Sequence, residues 1–242
     1  MAEIDWEIVS GSLDATLIRR GVTGAFTPPN GGGSFVFGFS SETTATGVSA
    51  LYVNKTNFAP LKNIAAAATG GSVRMALKKG TSPTSTGWSP FMFLCLRAGA
   101  GTSPAPSVND IGYLLGLENS NPARIVFRKG SPIGGLPATA GSSLRASNEA
   151  FLVDTWLHLR LDAVVNPNGD VVLKFFKSDV VVNPVTVPAW NTIPGMTDFI
   201  DDALGVLSGS APLSGGFAGF GQQSAAAQRR SYFDSCQILR QI

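Results

Sequence analysis

The stretch formed by residues 154–177 constrains the fold of this chain more than any other part of the sequence. Leu157, Leu159 and Leu161 alternate with polar or aromatic residues, and this spacing places the three leucines on one face of a strand. A run rich in Val and Phe follows the Asn-Pro-Asn-Gly sequence at residues 166–169, which has the composition of a turn. The stretch therefore predicts a β-hairpin with one buried face.

An isolated hairpin is marginally stable in water, so the rest of the chain has to supply further strands. Short apolar or alternating runs do recur from end to end. The clearest are residues 12–19, 34–39, 48–53, 72–79, 91–96, 111–117, 123–128, 216–221 and 231–239. Helix signals are limited to residues 63–69 and 198–204. The pattern predicts an all-β fold, a sandwich or barrel, with at most one or two short helices.

No internal repeat or charged linker divides the chain, so residues 1–242 are expected to form a single domain. Charged residues make up 14% of the sequence, against about 25% in typical soluble domains. Either other subunits cover much of the surface, or Ser, Thr, Asn and Gly make it neutral. The net charge of +2 provides no long-range attraction to nucleic acid, which is not expected as a partner.

The N-terminal residues are acidic and lack an apolar run, so no secretory signal is predicted. No stretch approaches the roughly 18 apolar residues of a membrane span, and no membrane partner is expected. Cys95 and Cys236 are expected to be buried and reduced rather than bridged. The sequon at Asn54 is accordingly expected to stay unglycosylated.

The sequence offers little catalytic chemistry. Glycosidases use paired carboxylates, whereas the densest acidic group here, Asp198, Asp201 and Asp202, has the spacing of a loop or helix start. His158, the single histidine, alternates onto the polar face of its strand, which favours stacking on or bonding to a neighbour. Two cysteines and one histidine are too few for a structural zinc site. No catalytic residue, metal or cofactor is predicted.

Three aromatic residues are candidates for stacking on a glycan or for a protein interface. Trp88 lies in a Thr-Gly-Trp-Ser-Pro sequence that is typical of a loop, and Tyr113 and Trp190 lie elsewhere in the chain. Aromatic rings of this kind have an apolar face and a polar atom. A place in the core remains the alternative for each of them.

The sequence TWLHLRLD, the Gly-Asp turn after it and the terminal GFGQ and RRSYFDSCQIL segments resemble those of concanavalin A-like, laminin-G-like jelly rolls. The resemblance covers about the last third of the chain. It implies that the Trp-His-Leu strand crosses the middle of a sandwich. It also implies that the last strand, with Phe233 and Asp234, returns beside the first.

The short strands, neutral loops and low charge are also similar in style to structural proteins of tailed bacteriophages. On that basis the leading interpretation is a virion component, for capsid decoration, collar or tail, assembled in the host cytoplasm. It would contact copies of itself and other virion proteins through two Gly/Ser/Pro-rich loops, residues 99–109 and 131–147. The alternative is a carbohydrate-binding, lectin-like module that attaches to a surface glycan. A hydrolase on the same fold ranks third, and no enzymatic activity is expected.

Overall fold

A computed structural model gives the fold of the chain. It describes residues 2–4, 17–21, 35–40, 56–64, 70–79, 88–97, 111–118, 120–131, 143–152, 155–178, 189–202, 211–224 and 230–240.

These residues form fifteen strands separated by turns and irregular segments. The strands are β1 Ala2–Ile4, β2 Leu17–Gly21, β3 Phe35–Ser40, β4 Thr56–Ile64, β5 Gly70–Lys79, β6 Trp88–Arg97, β7 Ile111–Leu117, β8 Ala123–Gly130, β9 Arg145–Phe151, β10 Trp156–Val165, β11 Val171–Ser178, β12 Asn191–Thr192, β13 Phe199–Asp201, β14 Gly216–Ser224 and β15 Arg230–Arg240.

Two antiparallel sheets make up the fold. The nine-stranded sheet has the order β12-β11-β10-β5-β15-β3-β2, with β1 added beside β15 and β13 beside β11. The six-stranded sheet has the order β4-β14-β6-β7-β8-β9. Strand β10 lies inside the larger sheet, and β15 pairs with β1 through Arg240 and Ala2. The predicted all-β sandwich is confirmed, and so is the return of the last strand beside the first.

The predicted hairpin is formed by β10 and β11. Gly169 has a positive φ of 93°, and its N–H donates to the Asn166 carbonyl over 2.9 Å. Asn166 N in turn donates to the Asp170 carbonyl over 2.8 Å, which closes the turn. Leu159 is 0% exposed and lies between the sheets, as the alternation of the leucines predicts.

The core lies between the two sheets and takes alternate residues from the strands that face it. Its buried members on the five central strands are Val73, Met75, Leu77, Met92, Leu94, Tyr113, Leu115, Leu117, Ala123, Ile125, Phe127, Leu157, Leu159, Leu161 and Ala163. Inward residues of β11, including Phe175, extend the core. A smaller cluster of Phe91, Phe93, Leu114 and Val126 is buried on the opposite side of the six-stranded sheet.

Two local expectations are corrected by the structure. Residues 199–201 form strand β13 rather than a helical turn, because they pair with β11 through Val172 and Ile200. The described part of the chain contains no helix, and so none that could span a membrane. Residues 145–147 belong to β9 rather than to a long loop.

Several other predictions fall outside the described residues. These are the strand at residues 48–53, the sequon Asn54, the loop at residues 99–109 and residues 132–142 of the second loop. Cys95 is buried and is not disulfide-bonded, as expected.

Candidate functional site

The outward side chains of β10 and its two neighbouring strands gather polar and aromatic groups on one surface. Because the leucines of β10 face the core, the residues between them face outward. The register aligns outward positions on the adjacent strands. The aligned pairs are Trp156 with Lys78, His158 with Ala76 and Ser178, Arg160 with Arg74 and Phe176, and Asp162 with Ser72 and Lys174.

Arg160 and Asp162 form a forked ion pair on this surface. Arg160 Nε donates to Asp162 Oδ1 over 2.7 Å, and Arg160 Nη2 donates to Asp162 Oδ2 over 2.6 Å. The two side chains are 19% and 13% exposed. The guanidinium lies 5.2 Å from the ring centre of Phe176 and 6.0 Å from that of Trp190. Two-point pairing and stacking fix this guanidinium in one orientation.

His158 packs edge-on against Trp190, with 5.0 Å between the ring centres. The predicted stacking of His158 on a neighbour is therefore confirmed. Burial, and then the positive charge of Arg74, lower the pKa of His158 to about 4. The imidazole is therefore neutral at pH 7, with one nitrogen able to donate and the other able to accept a hydrogen bond.

Some buried polar atoms lack a hydrogen-bond partner. Within the described residues, these include Ser72 Oγ, His158 Nε2 and Trp190 Nε1 on the outer side of the larger sheet and Asp201 Oδ1 between the sheets. Buried polar atoms are normally satisfied, because leaving one unpaired costs free energy.

Trp156 extends this surface along the strand. It is half-buried, and Lys78 Nζ lies 5.4 Å from its ring centre. Outward positions on a strand are spaced by about 7 Å, so Trp156 lies about 14 Å from Arg160. The surface formed by Trp156, His158, Arg160, Asp162, Phe176 and Trp190 is called the outer-face site below.

The structure separates the three aromatic residues proposed from the sequence. Trp190 belongs to the outer-face site. Tyr113 faces inward from β7 and is completely buried, so its ring is part of the core and offers no surface for stacking. Trp88 is the first residue of β6, in the other sheet, rather than part of a loop.

Tyr113 belongs instead to a buried polar cluster. Its hydroxyl donates to Asp201 Oδ2 over 2.6 Å and accepts from Leu213 N over 2.8 Å. Lys129 Nζ donates to the same Asp201 oxygen over 2.7 Å and to the Ala211 carbonyl over 2.9 Å. Burial, followed by the bond to Asp201, raises the pKa of Tyr113 well above its usual range. The cluster joins β7 and β8 of one sheet to β13 of the other.

The acidic group at residues 198–202 is therefore divided. Asp201 is buried in the polar cluster, whereas Asp198 and Asp202 are exposed. Asp201 has a structural role, on a strand rather than at a helix start. Within the ranges described above, no three His, Cys, Asp or Glu side chains are grouped closely enough to hold a metal ion.

Sequence reasoning missed Arg160, Asp162, Phe176 and Trp156 as site residues. A signal was present in the sequence Trp-x-His-x-Arg-x-Asp at residues 156–162. Four successive outward positions of this central strand carry an aromatic or charged group, although neighbouring strands border it on both sides.

No protein-family model matches the sequence, and no curated protein matches it significantly. Among solved structures, the carbohydrate recognition domain of Emp46p in its potassium-bound form superposes with a TM-score of 0.50 at 10% identity. That match covers 87% of this chain and 85% of the other. A seed lectin isoform from Lotus tetragonolobus gives 0.48 at 10% identity over 100% of both chains.

An endo-β-1,4-glucuronan lyase from the fungus Trichoderma reesei gives a TM-score of 0.46 at 8% identity. It covers 97% of this chain and 91% of the lyase chain. Identities this low establish the fold alone. The two antiparallel sheets, together with the match to the Emp46p domain, thus show the concanavalin A-like jelly-roll fold that the sequence resembles.

Proposed function

We propose that the chain is a carbohydrate-binding, lectin-like module that holds a glycan against the outer-face site. The observation that carries this proposal is the arrangement of two half-buried aromatic rings beside one fixed ion pair, with a third ring farther along the same strand. Phe176 and Trp190 lie beside the Arg160–Asp162 pair, and Trp156 is the third ring.

A sugar ring is complementary to this arrangement. Its C–H face packs against aromatic rings, and its hydroxyl groups both donate and accept hydrogen bonds. Asp162 offers acceptor oxygens. Arg160 Nη1 makes no hydrogen bond within the described residues and so keeps its two N–H donors.

The site is also rigid before a ligand binds. Arg160 and Asp162 lie on a strand that is paired on both sides, and two hydrogen bonds lock their relative orientation. A preorganised site loses little side-chain entropy on binding, so weak individual contacts add up to useful affinity. The Emp46p domain that shares this fold is a carbohydrate recognition domain. That likeness agrees with the proposal, which rests on the side chains.

A glycan array followed by titration calorimetry on each binding sugar tests the proposal. Trp190→Ala and Phe176→Ala are expected to weaken binding by about tenfold or more, because each removes a stacking ring. Leu152→Ala is the control, since Leu152 is 65% exposed and follows β9 at the edge of the other sheet. An array without any binding sugar, or equal affinity in all three variants, would refute the proposal.

A bacteriophage structural component remains the competing interpretation from the sequence. It rests on the low charge and on the two long loops, most of whose residues lie outside the described ranges. The outer-face site gives glycan binding a specific surface, so glycan binding is the function proposed. Light scattering after size exclusion measures self-association independently. No enzymatic activity is proposed.

A further inference from the structure

We infer that the glycan bound at the outer-face site is an extended sugar chain of two or more rings, whose second ring lies across β11 and β13. This inference rests on the proposed glycan binding and adds the class of glycan and the direction in which it runs. Two rows of outward side chains carry it. Both rows begin on β10 and cross β11 towards β13.

The first row consists of charged groups. Asp162 of β10 is in register with Lys174 of β11. Lys174 Nζ lies 3.9 Å from Oδ2 of Asp198, the residue that precedes β13. The Lys174 and Asp198 side chains are 45% and 58% exposed. Because adjacent strands lie about 4.8 Å apart, this charged row extends about 10 Å across the sheet.

The charged row is able to bond to the hydroxyl groups of a sugar. A separation of 3.9 Å is longer than a hydrogen bond, so Lys174 and Asp198 attract each other without a hydrogen bond between these two atoms. An ammonium group only donates, a carboxylate only accepts, and a sugar hydroxyl does both. The alternation of carboxylate, ammonium and carboxylate along the row therefore matches a succession of hydroxyl groups.

The second row consists of apolar side chains. Val164 of β10 is in register with Val172 of β11, and Val172 is in register with Ile200 of β13. The three face outward, because the residues on either side of them in each strand face the space between the sheets. Ile200 is 56% exposed, and the two valines are half-buried. One exposed apolar side chain is ordinary, whereas a contiguous apolar strip favours contact with another molecule.

Strand β11 shows how a sugar ring fits between these groups. Its successive outward residues are Val172, Lys174 and Phe176, about 7 Å apart. A ring bound to Lys174 therefore lies between an aromatic side chain on one side and the apolar strip on the other. The C–H groups of the sugar pack against both, while its hydroxyl groups reach the ammonium group. This combination favours a carbohydrate over a ligand that is only charged or only apolar.

The exposure of the side chains gives the direction of the sugar chain. The Arg160–Asp162 pair marks the position of the first ring. Along β10 the next aromatic residue is Trp156, about 14 Å from Arg160, and His158 between them is only 8% exposed. Across the strands, the exposed Lys174 is directly opposite Asp162. The sugar chain therefore continues across the strands rather than along them.

Titration calorimetry with sugars of increasing length tests this inference. The probes are the methyl glycosides of glucose, galactose, mannose and N-acetylglucosamine, each beside the corresponding di- and trisaccharide. In a series that binds, the disaccharide should bind about tenfold or more tightly than the single sugar, because the second ring gains hydrogen bonds and apolar contact. The quantity to compare between variants is the ratio of these two affinities.

Two variants locate the second ring. Ile200→Ser removes the most exposed member of the apolar strip, and Lys174→Ala removes the central group of the charged row. Each is expected to lower the ratio of affinities by about fivefold or more. Both positions are exposed, so the variants should fold, which circular dichroism checks. Leu152→Ser is the matched control, because Leu152 is 65% exposed and follows β9 of the other sheet.

The possible results separate this inference from its competitors and from the proposed function. A gain in affinity no larger than the number of sugars in the chain, or equal ratios in Ile200→Ser, Lys174→Ala and the control, would overturn the inference and leave glycan binding intact. A ratio lowered by Trp156→Ala alone would overturn it too, because the sugar chain would then run along β10. Self-association that Ile200→Ser abolishes would overturn it in favour of a second copy of this protein. Absence of binding to every probe and on the array would refute the proposed function, and this inference with it.

Discussion

Two ion pairs between an aspartate and a cation have similar N–O distances but different surroundings in this molecule. Lys129 and Asp201 are 2.7 Å apart, with side chains 2% and 0% exposed, between the sheets. Arg160 and Asp162 are 2.6 Å apart, with side chains 19% and 13% exposed, on the outside of one sheet. The inner pair also bonds to Tyr113 and Ala211, whereas the outer pair is bordered by half-buried aromatic rings.

The difference shows that burial decides how much such an ion pair contributes to the stability of the fold. In the core, loss of one partner leaves a charge that water cannot reach. The intact pair therefore holds the two sheets together. On the surface, water compensates for much of the loss, so the pair contributes little to stability. Its remaining donors and acceptors are then available to a ligand.

Two further lysine side chains join the sheets. Lys79 Nζ of β5 donates to the carbonyls of Glu118 and Ser120 over 3.2 and 2.6 Å. Lys177 of β11 pairs with Glu149 of β9 over 2.7 Å. Together with Lys129, these lysines connect the two sheets near strand ends, where the apolar core gives way to solvent. The inner pair is the most deeply buried of the ion pairs between the sheets in the described part of the chain.

Removal of Asp201 should have the largest effect on stability. Asp201→Ala leaves Lys129 buried without its carboxylate and is expected to lower the free energy of unfolding by about 3–5 kcal/mol. Urea denaturation measures the change. Asp198→Ala is the control, since Asp198 is exposed and 3.9 Å from Lys174. A loss below about 1 kcal/mol in Asp201→Ala would show that the inner pair does not hold the sheets.

The next largest effect on stability is expected from a substitution in the core beneath the outer-face site. Leu159 is 0% exposed, so Leu159→Ala should lower the free energy of unfolding by about 2–5 kcal/mol through the cavity it leaves. Leu152→Ala, at an exposed position, should change it by less than about 0.5 kcal/mol. Denaturation of the two variants side by side gives the comparison. Equal losses of stability in the two variants would mean that Leu159 faces away from the core.

The sequence predicted the fold best where hydrophobic alternation and turn chemistry are local. The leucines of β10 and the Asn-Pro-Asn-Gly turn define the hairpin without help from the rest of the chain. The acidic spacing of residues 198–204 favours a loop or the start of a helix. Residues 199–201 form a strand instead, because they pair with β11 about thirty residues earlier in the chain, which local sequence does not reveal.

The buried polar cluster and the outer-face site were harder to predict, because tertiary structure brings their members together. Tyr113 and Asp201 are separated by 88 residues, and only the position of β13 beside β11 brings them together. Trp190 precedes β12, and its contact with His158 depends on how that segment crosses β10. A sequence shows that Tyr113 is aromatic. It does not show which face of β7 points inward.

The pH dependence of stability should reveal the buried imidazole of the outer-face site. His158 has a folded-state pKa of about 4, below its ordinary value of 6.5. Above pH 6.5 the group is neutral in both states, so it has no effect. As the pH falls from 6.5 to 4 only the unfolded chain takes up the proton, and stability is lost by up to about 3 kcal/mol.

His158→Gln isolates this contribution, because His158 is the single histidine of the chain. The difference in unfolding free energy between the native protein and the variant should shift between pH 6.5 and 4 and be constant above 7. A difference that stays constant across the whole range would mean that the imidazole is solvated in the folded protein.

Removal of Asp162 should have the smallest effect on stability. Because the outer pair is partly exposed, Asp162→Ala is expected to lower the free energy of unfolding by about 1 kcal/mol or less. The same variant should weaken glycan binding by about tenfold, since Arg160 loses its fixed orientation. Urea denaturation and calorimetry on one preparation give both values. A stability loss equal to that of Asp201→Ala would remove the distinction between the two pairs.

The most direct test of glycan binding at the outer-face site is a nuclear magnetic resonance titration of the indole N–H signals. The chain has four tryptophans, and Trp190→Phe assigns the signal of Trp190. Addition of a glycan selected on the array should shift the Trp190 signal saturably, because the Trp190 ring lies 6.0 Å from the Arg160 guanidinium of the site. A glycan that binds while the Trp190 signal stays in place would contradict the assignment of the site.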